Sequence, residues 1–253
     1  MPVLGKIKTI KCLTPTLLQD FFQRFLKVPK LLCISGDFDS NMLQKNWNKI
    51  SGNFNSLTPQ PQIQFEIKKY TARRWVKVSQ QAYVMGIIPI HDPLDLEQYL
   101  SLQILMLLWG GANSSRLFQK IREERGLCYT IQSGFVPIAE KGFCYVLANT
   151  LPKNSKKLIK AIETEWKNLF STINKTEWEF FKKCFETQTQ VQLEKLDYRN
   201  EVIYQLFRRK ALIPNLNEYV ITIKNLPLEV FQNKLNSLIG SSIIWYTIAP
   251  SAS

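Results

Sequence analysis

The chain has 253 residues, 45% hydrophobic and 21% charged, with 33 Lys and Arg against 20 Asp and Glu for a formal charge of +13. That length buries a substantial core in one large or two modest domains, and the apolar content excludes a disordered chain. The basic residues are scattered as pairs, among them Lys68-Lys69, Arg73-Arg74, Lys182-Lys183 and Arg208-Arg209, so they read as solvated faces or a complement to acidic partners rather than one nucleic-acid groove.

The N-terminus, "MPVLGKIKTIKC", has lysines but no apolar h-region and no small-residue cleavage site, so no secretory signal is visible. "LTPTLLQDFFQRFLK" predicts a helix with Thr14 as cap and Pro15 at the first position, and Leu17, Leu18, Phe21, Phe22 and Phe25 form its apolar stripe. "KLLCISG" predicts a strand, and "GDFDSNMLQKNWNKI" a second helix capped by Asp39 or Ser40. The polar "SGNFNSLTPQPQIQ", with two prolines and no periodicity, predicts a linker that divides the chain into residues 1–60 and 61–253.

Beyond it, "RRWVKVSQQAYVMGIIPI" has the β-branched and aromatic content of one long or two short strands. "HDPLDLEQYLSLQILMLLW" predicts a helix with Asp92 as cap and Pro93 in its first turn. Its apolar run Ile104–Trp109 falls well short of the roughly 20 residues a membrane crossing needs, so it reads as a buried core helix. Asn113 or Ser114 caps "SRLFQKIREER", and Gly126 stops it where a left-handed residue is wanted. "LCYTIQSGFVPI" and "GFCYVLANT" read as adjacent strands. Three helices follow: "SKKLIKAIETEWKNLF", "TEWEFFKKCFETQTQVQLEKL" with a capping box in Thr176 and Glu179, and "YRNEVIYQLFRRKAL". The helical "LPLEVFQNKLNSLI" and the strand "SIIWYTI" close the chain.

Five cysteines (Cys12, Cys33, Cys128, Cys144, Cys184) form no C-x-x-C pair. They read as small core residues of a protein in a reducing compartment, the cytoplasm or an organelle interior. One internal comparison bears on architecture: Pro15 and Leu31 to Ser35 match Pro227 and Ile243 to Thr247 at one constant offset. Residues 1 to about 55 then read as the tail of one structural repeat, and residues 66 to 250 as a complete second copy.

The most structured stretch is "GGANSSRLFQKIREERGLCY", Gly110 to Tyr129. It resembles the second, non-catalytic half of the pitrilysin and insulin-degrading-enzyme family of zinc peptidases, which includes the mitochondrial processing peptidase subunits. "GDFD" after a predicted strand, "ANTLPKNSKKLIKAI" and "KTEWEFFKK" extend the resemblance over nearly the whole chain. It implies an α+β fold, a LuxS/metallohydrolase-like peptidase half with an antiparallel-rich sheet covered by helices on one face, here preceded by the tail of a preceding repeat. In that family two halves close around a peptide; the first carries an inverted zinc motif, H-x-x-E-H, with a downstream Glu ligand. The second carries an Arg and, seven residues later, a Tyr that hold the substrate. "REERGLCY" puts Arg122 and Tyr129 at those positions, so the resemblance implies that they bind substrate. A guanidinium at a helix end and a phenol at a strand start suit one peptide carbonyl or carboxylate; read without the family, Arg122 pairs with a neighbouring glutamate and Tyr129 packs in the core.

The chain's single histidine, His91 in "IPIHDPL", has no partner at helical spacing and reads as a strand-end or turn residue. Zinc hydrolysis of this type needs two imidazoles a turn apart, a third ligand and a general base. Ser–His–Asp or Cys–His chemistry would have to share the same imidazole, and no G-K-[ST] follows Gly110-Gly111. No catalytic or metal residue is therefore expected in this chain, and no cofactor. The resemblance instead implies a partner that supplies zinc and the H-x-x-E-H motif, with an unstructured peptide as substrate. "GGANSSRL" also lacks the long glycine-rich insertion of the mitochondrial processing α-subunit. Two other functions fit the composition: a purely structural scaffold built on the same fold, and a basic nucleic-acid binder whose affinity would fall steeply with salt.

Overall fold

A computed structural model of the chain describes residues 5–26, 32–51, 72–75, 80–138, 141–211, 215–229, 232 and 242–250. The chain divides into two units, Met1–Gln64 and Phe65–Ser253.

In the first unit, α1 (Ile7–Lys11) precedes α2 (Pro15–Leu26) and α3 (Ser40–Ser51). The Thr14 hydroxyl accepts from Leu17 N at 3.3 Å and caps α2 as its sequence predicts. Asp39, not Ser40, caps α3: its Oδ1 accepts from Asn41 N at 2.8 Å and Met42 N at 3.1 Å. Along the apolar stripe of α2, Leu17, Leu18, Phe21, Phe22 and Phe25 are each 50% exposed or more. Residues 32–35, expected as a strand, ladder with no segment among the described residues, and a strand exists only where a neighbour takes its N–H and C=O groups. The expected linker lies outside the described residues from 52 onward.

The second unit is an α+β layer pair. Its strands are β1 (Ala72–Trp75), β2 (Ala82–Ile90), β3 (Thr130–Ile138), β4 (Lys141–Thr150) and β5 (Ile244–Ala249). They form one sheet in the order β1-β5-β2-β4-β3, with β1 and β5 parallel and the other neighbours antiparallel. "RRWVKVSQQAYVMGIIPI" thus holds two strands, and the strand predicted last in sequence sits inside the sheet. Alternation decides which side is buried: Val84, Ile88, Ile131, Phe135, Cys144, Val146 and Trp245 face the core. Against that face lie α4 (Leu96–Met106), α5 (Ser155–Thr172), α6 (Lys175–Gln192), α7 (Leu196–Arg208) and α8 (Leu216–Asn225), contributing Leu100, Leu105, Leu158, Ile162, Trp178, Val202 and Ile223. On the opposite face Tyr83, Val136, Leu147 and Ile248 are exposed.

Four local expectations need correction. Asp95, not Asp92, caps α4, because Asp95 and Gln98 form a reciprocal box: Gln98 N donates to Asp95 Oδ1 at 2.8 Å and Asp95 N to Gln98 Oε1 at 3.0 Å. Asn174, one residue before α6, accepts from Glu177 N and displaces the box expected from Thr176 and Glu179; Glu179 instead binds Lys182. Helix α8 was not expected, although Asn215, whose side chain accepts from Glu218 N, is a readable cap. Of the five cysteines Cys128 and Cys144 are buried, while Cys12 is exposed and Cys33 and Cys184 are intermediate, so they are not uniformly core residues. The helix expected over "LPLEVFQNKLNSLI" lies mostly outside the described residues. No described helix is long and apolar enough to cross a membrane.

Candidate functional site

The stretch from Gly110 to Tyr129 runs from the end of the first core helix to the start of β3, and its helical parts are wound more widely than sequence periodicity suggests. Leu107–Gly111, continuing α4, and Phe118–Glu123 are both π-helical, as in the bond from Glu124 N to Gln119 O at 2.9 Å. A π turn inserts one residue and rotates every later side chain around the axis. Neither Asn113 nor Ser114 caps the second segment; the Gln119 side chain donates to Asn113 O at 2.7 Å, and Ser115 N to Ala112 O at 3.0 Å, so the turn is closed by backbone acceptors.

Two ion pairs hold this helix to its neighbours. Arg116 makes a two-pronged contact with Glu177 of α6 and also donates to Thr172 Oγ1 at 2.6 Å, with its own side chain only 10% exposed. Lys120 binds the buried Glu165 of α5 at 2.9 Å.

The helix then ends as its glycine predicts. Gly126 has φ +57°, a conformation without penalty only for a residue lacking Cβ. Gly126 N reaches back to Arg122 O, and Leu127 N to Ile121 O, both at 3.1 Å. The Thr150 hydroxyl donates to Leu127 O at 2.6 Å, and Tyr129 N donates to Asn149 O at 3.0 Å, tying the reversal to β4. Asn149 also accepts the N–H and hydroxyl of Thr130 on Oδ1, each at 2.8 Å, and its Nδ2 donates to Gln81 Oε1 at 3.1 Å.

Arg122 and Tyr129 thus stand on the two sides of one tight reversal. The Arg122 guanidinium lies 4.4 Å from the centre of the Phe118 ring and 3.6 Å from Glu123 Oε1, with its side chain 38% exposed. Tyr129 is 49% exposed rather than packed in the core. No hydrogen bond joins the two among the described contacts. The Arg122 charge instead acts on buried Cys128: burial pushes that thiol up to about 11, and Arg122 pulls it the other way. Two supports escaped the sequence reading. Phe118 sits four residues before Arg122, a spacing that sequence does carry. Asn149 left no signal, because only strand pairing brings it to Tyr129.

His91 is exposed immediately after β2. Among the described residues no group of three or more His, Cys, Asp and Glu is placed to hold a metal ion. A chain with one imidazole does not furnish the paired-histidine ligand set of a hydrolytic zinc site.

The model of a protein family described as "Peptidase M16 inactive domain" matches residues 13–183. A Rickettsia bellii protein named "Uncharacterized zinc protease" is 26% identical over 254 residues, covering 96% of this chain and 60% of its own length. The chain therefore spans about 60% of the length of that relative. Among solved structures, a peptidase M16 inactive domain from Pseudomonas fluorescens superposes with a TM-score of 0.72 at 16% identity, covering 98% of this chain and 61% of that one. A chain of Complex III2 from Candida albicans gives 0.74 at 16% identity, covering 98% and 62%. These likenesses establish the α+β peptidase-half fold.

Proposed function

The chain belongs to the peptidase M16 inactive-domain family, and from that premise we propose that it is the non-catalytic, peptide-gripping half of a zinc metallopeptidase. Arg122 and Tyr129 bind the substrate backbone, and a partner of the same family carries the H-x-x-E-H motif and its zinc. The observation that carries this reading is the pair itself: a guanidinium and a phenol, both substantially exposed, rooted on opposite sides of a reversal fixed by Gly126 and by bonds to Asn149 and Thr150. Substrates are extended peptides, for which a basic chain favours neutral or acidic sequences.

Residues 1–60 are, in the same reading, the tail of a preceding half, and 61–253 belong to the second half. The constant offset supports this, since β5, the counterpart of residues 32–35, lies between β1 and β2.

The test is turnover of an unstructured peptide by this chain combined with a partner bearing H-x-x-E-H. Arg122→Ala should lower kcat/KM by about 10- to 100-fold, the worth of a charge-assisted hydrogen bond, and Tyr129→Phe by less. Unchanged turnover in Arg122→Ala, or zinc-dependent hydrolysis by the pure chain alone, overturns the proposal. A second reading, a scaffold without peptide binding, has in its favour the fold likeness to the Complex III2 chain; it predicts that neither substitution changes turnover but that both weaken assembly.

A further inference from the structure

Helix α5 spends both of its carboxylates on the rest of the fold. Glu165 is buried and binds Lys120 at 2.9 Å. Glu163 accepts from the Trp245 indole N–H of β5 at 2.8 Å. What remains outside is basic: Lys156, Lys157, Lys160 and Lys167 are exposed, as is Lys153 in the short turn that leads into the helix. At about 100° per residue the four helical lysines fall within an arc of about 100° and cover about 17 Å of the helix. The other exposed positions, Thr164, Asn168, Ser171 and Thr172, are short and neutral. Among the described residues none of the five lysines forms an ion pair. Nor does the helix gain from them, since Lys156 and Lys157 sit in its first turn, which has no acidic residue and where the aligned peptide dipoles disfavour a cation. A ridge serving only helix stability or solubility interleaves the two signs at i,i+4 spacing; this one carries a single sign.

We propose that the outer face of α5 docks the chain, peripherally and reversibly, on an anionic lipid bilayer. A cluster of roughly four to eight basic residues on one helix attracts acidic lipid headgroups, and the net charge of +13 adds to the attraction. Lysine carries a compact, strongly hydrated charge on a flexible stem, so it meets headgroup phosphates and carboxylates without leaving water. That property separates a membrane from other anionic partners. A protein interface buries aromatic residues, Met and Arg at its centre and is depleted in Lys, and a single-stranded nucleic-acid track interleaves its cations with aromatic platforms; α5 exposes none of these. It exposes no large apolar side chain either, so the helix rests on the headgroups and does not sink into the acyl region. The docking does not depend on the gripping role of Arg122 and Tyr129.

The test is cosedimentation of the full chain with vesicles of phosphatidylcholine, alone or with about one-third phosphatidylserine. The chain should bind the acidic vesicles, ignore the neutral ones, and be released as salt rises. Combining Lys156→Gln, Lys160→Gln and Lys167→Gln should lower the partition coefficient about 100-fold, roughly fivefold per lysine, while arginine at the same three positions should preserve it. The same loss of charge through Lys195→Gln, Lys210→Gln and Lys224→Gln, at exposed positions outside α5, should change it only about two- to threefold. Equal losses in the two triple Gln variants would mean attraction by net charge alone and overturn the proposal, as would a failure to bind acidic vesicles. Tighter binding of duplex DNA or of polyglutamate than of the vesicles, lost in the α5 variant, would make the partner a nucleic acid or an acidic protein and overturn it as well.

Discussion

The Ser133 hydroxyl, in the middle of β3, donates a 2.7 Å hydrogen bond to the carbonyl oxygen of Met106, the last α-helical residue before the first π turn. A π turn disturbs the regular acceptor ladder, and here a buried side chain from the sheet serves the disturbed carbonyl. Removing the hydroxyl takes one buried hydrogen bond from that carbonyl, so Ser133→Ala should cost about 1 kcal/mol in urea unfolding. No change in midpoint would show that the π turn is not braced by β3.

Gly110 makes the same approach possible from the helix side. A Cβ there would stand 3.0 Å from Ser133 Oγ and 3.1 Å from both Ser133 N and Leu117 Cδ1. Gly110→Ala therefore forces the π segment away from β3 and should cost about 1–3 kcal/mol through overpacking. Gly111→Ala, whose Cβ would approach Met106 O at 3.1 Å, makes a useful comparison.

Gly126 faces a different constraint, since a Cβ at this position meets nothing within 4 Å while φ is +57°. The penalty is purely conformational: Gly126→Ala should cost about 1 kcal/mol and Gly126→Asn less, as asparagine tolerates the left-handed region. Equal stability of Gly126→Ala and the parent in thermal unfolding would exclude strain at this residue.

Arg116 and Glu177 tie the Arg122-bearing helix to α6 with little solvent around the guanidinium. Truncating either partner leaves the other charge largely buried, so Arg116→Ala and Glu177→Ala should each cost about 2–4 kcal/mol, and the double variant should cost much less than their sum. A double-mutant cycle on urea midpoints measures this; additive losses would mean that the pair contributes no coupling.

Cys128 sets a pH dependence with a definite sign. Burial raises its thiol from 9.0 to about 11 in the folded chain, so the folded state holds the proton more tightly than the unfolded state. Its contribution to stability is complete below about 9 and declines as pH rises towards about 11. Cys144, fully buried, is raised by the same cause and adds to the decline. Unfolding curves through this range should show falling midpoints that Cys128→Ala flattens in part. Arg122→Ala should raise the Cys128 thiol further and slow its reaction with a thiol reagent, because the guanidinium is the group pulling it down; faster reaction in that variant would place Arg122 away from Cys128.

What the sequence by itself determined was whatever depends on neighbours along the chain. Thr14 and Pro15 open α2, β3 and β4 read as adjacent strands, Gly126 reverses the helix, and Arg122 and Tyr129 bracket that reversal in a stretch specific enough to identify the family. Even a misplaced cap was a local matter: Asp92 and Asp95 both fit a helix start, and Asp95 prevails because Gln98 returns the bond.

Tertiary structure alone decided what a strand pairs with. The segments "KLLCISG" and "SIIWYTI" read alike, yet residues 244–249 become an interior strand between β1 and β2 while residues 32–35 join no ladder among the described residues. The place of β3 at the end of the described sheet, the bracing of Met106 by Ser133, and the placing of Asn149 beside Tyr129 were likewise invisible in order along the chain. The physical reason is that a helix satisfies its backbone from within, over a few residues, whereas a strand borrows its hydrogen bonds from segments tens to more than a hundred residues away.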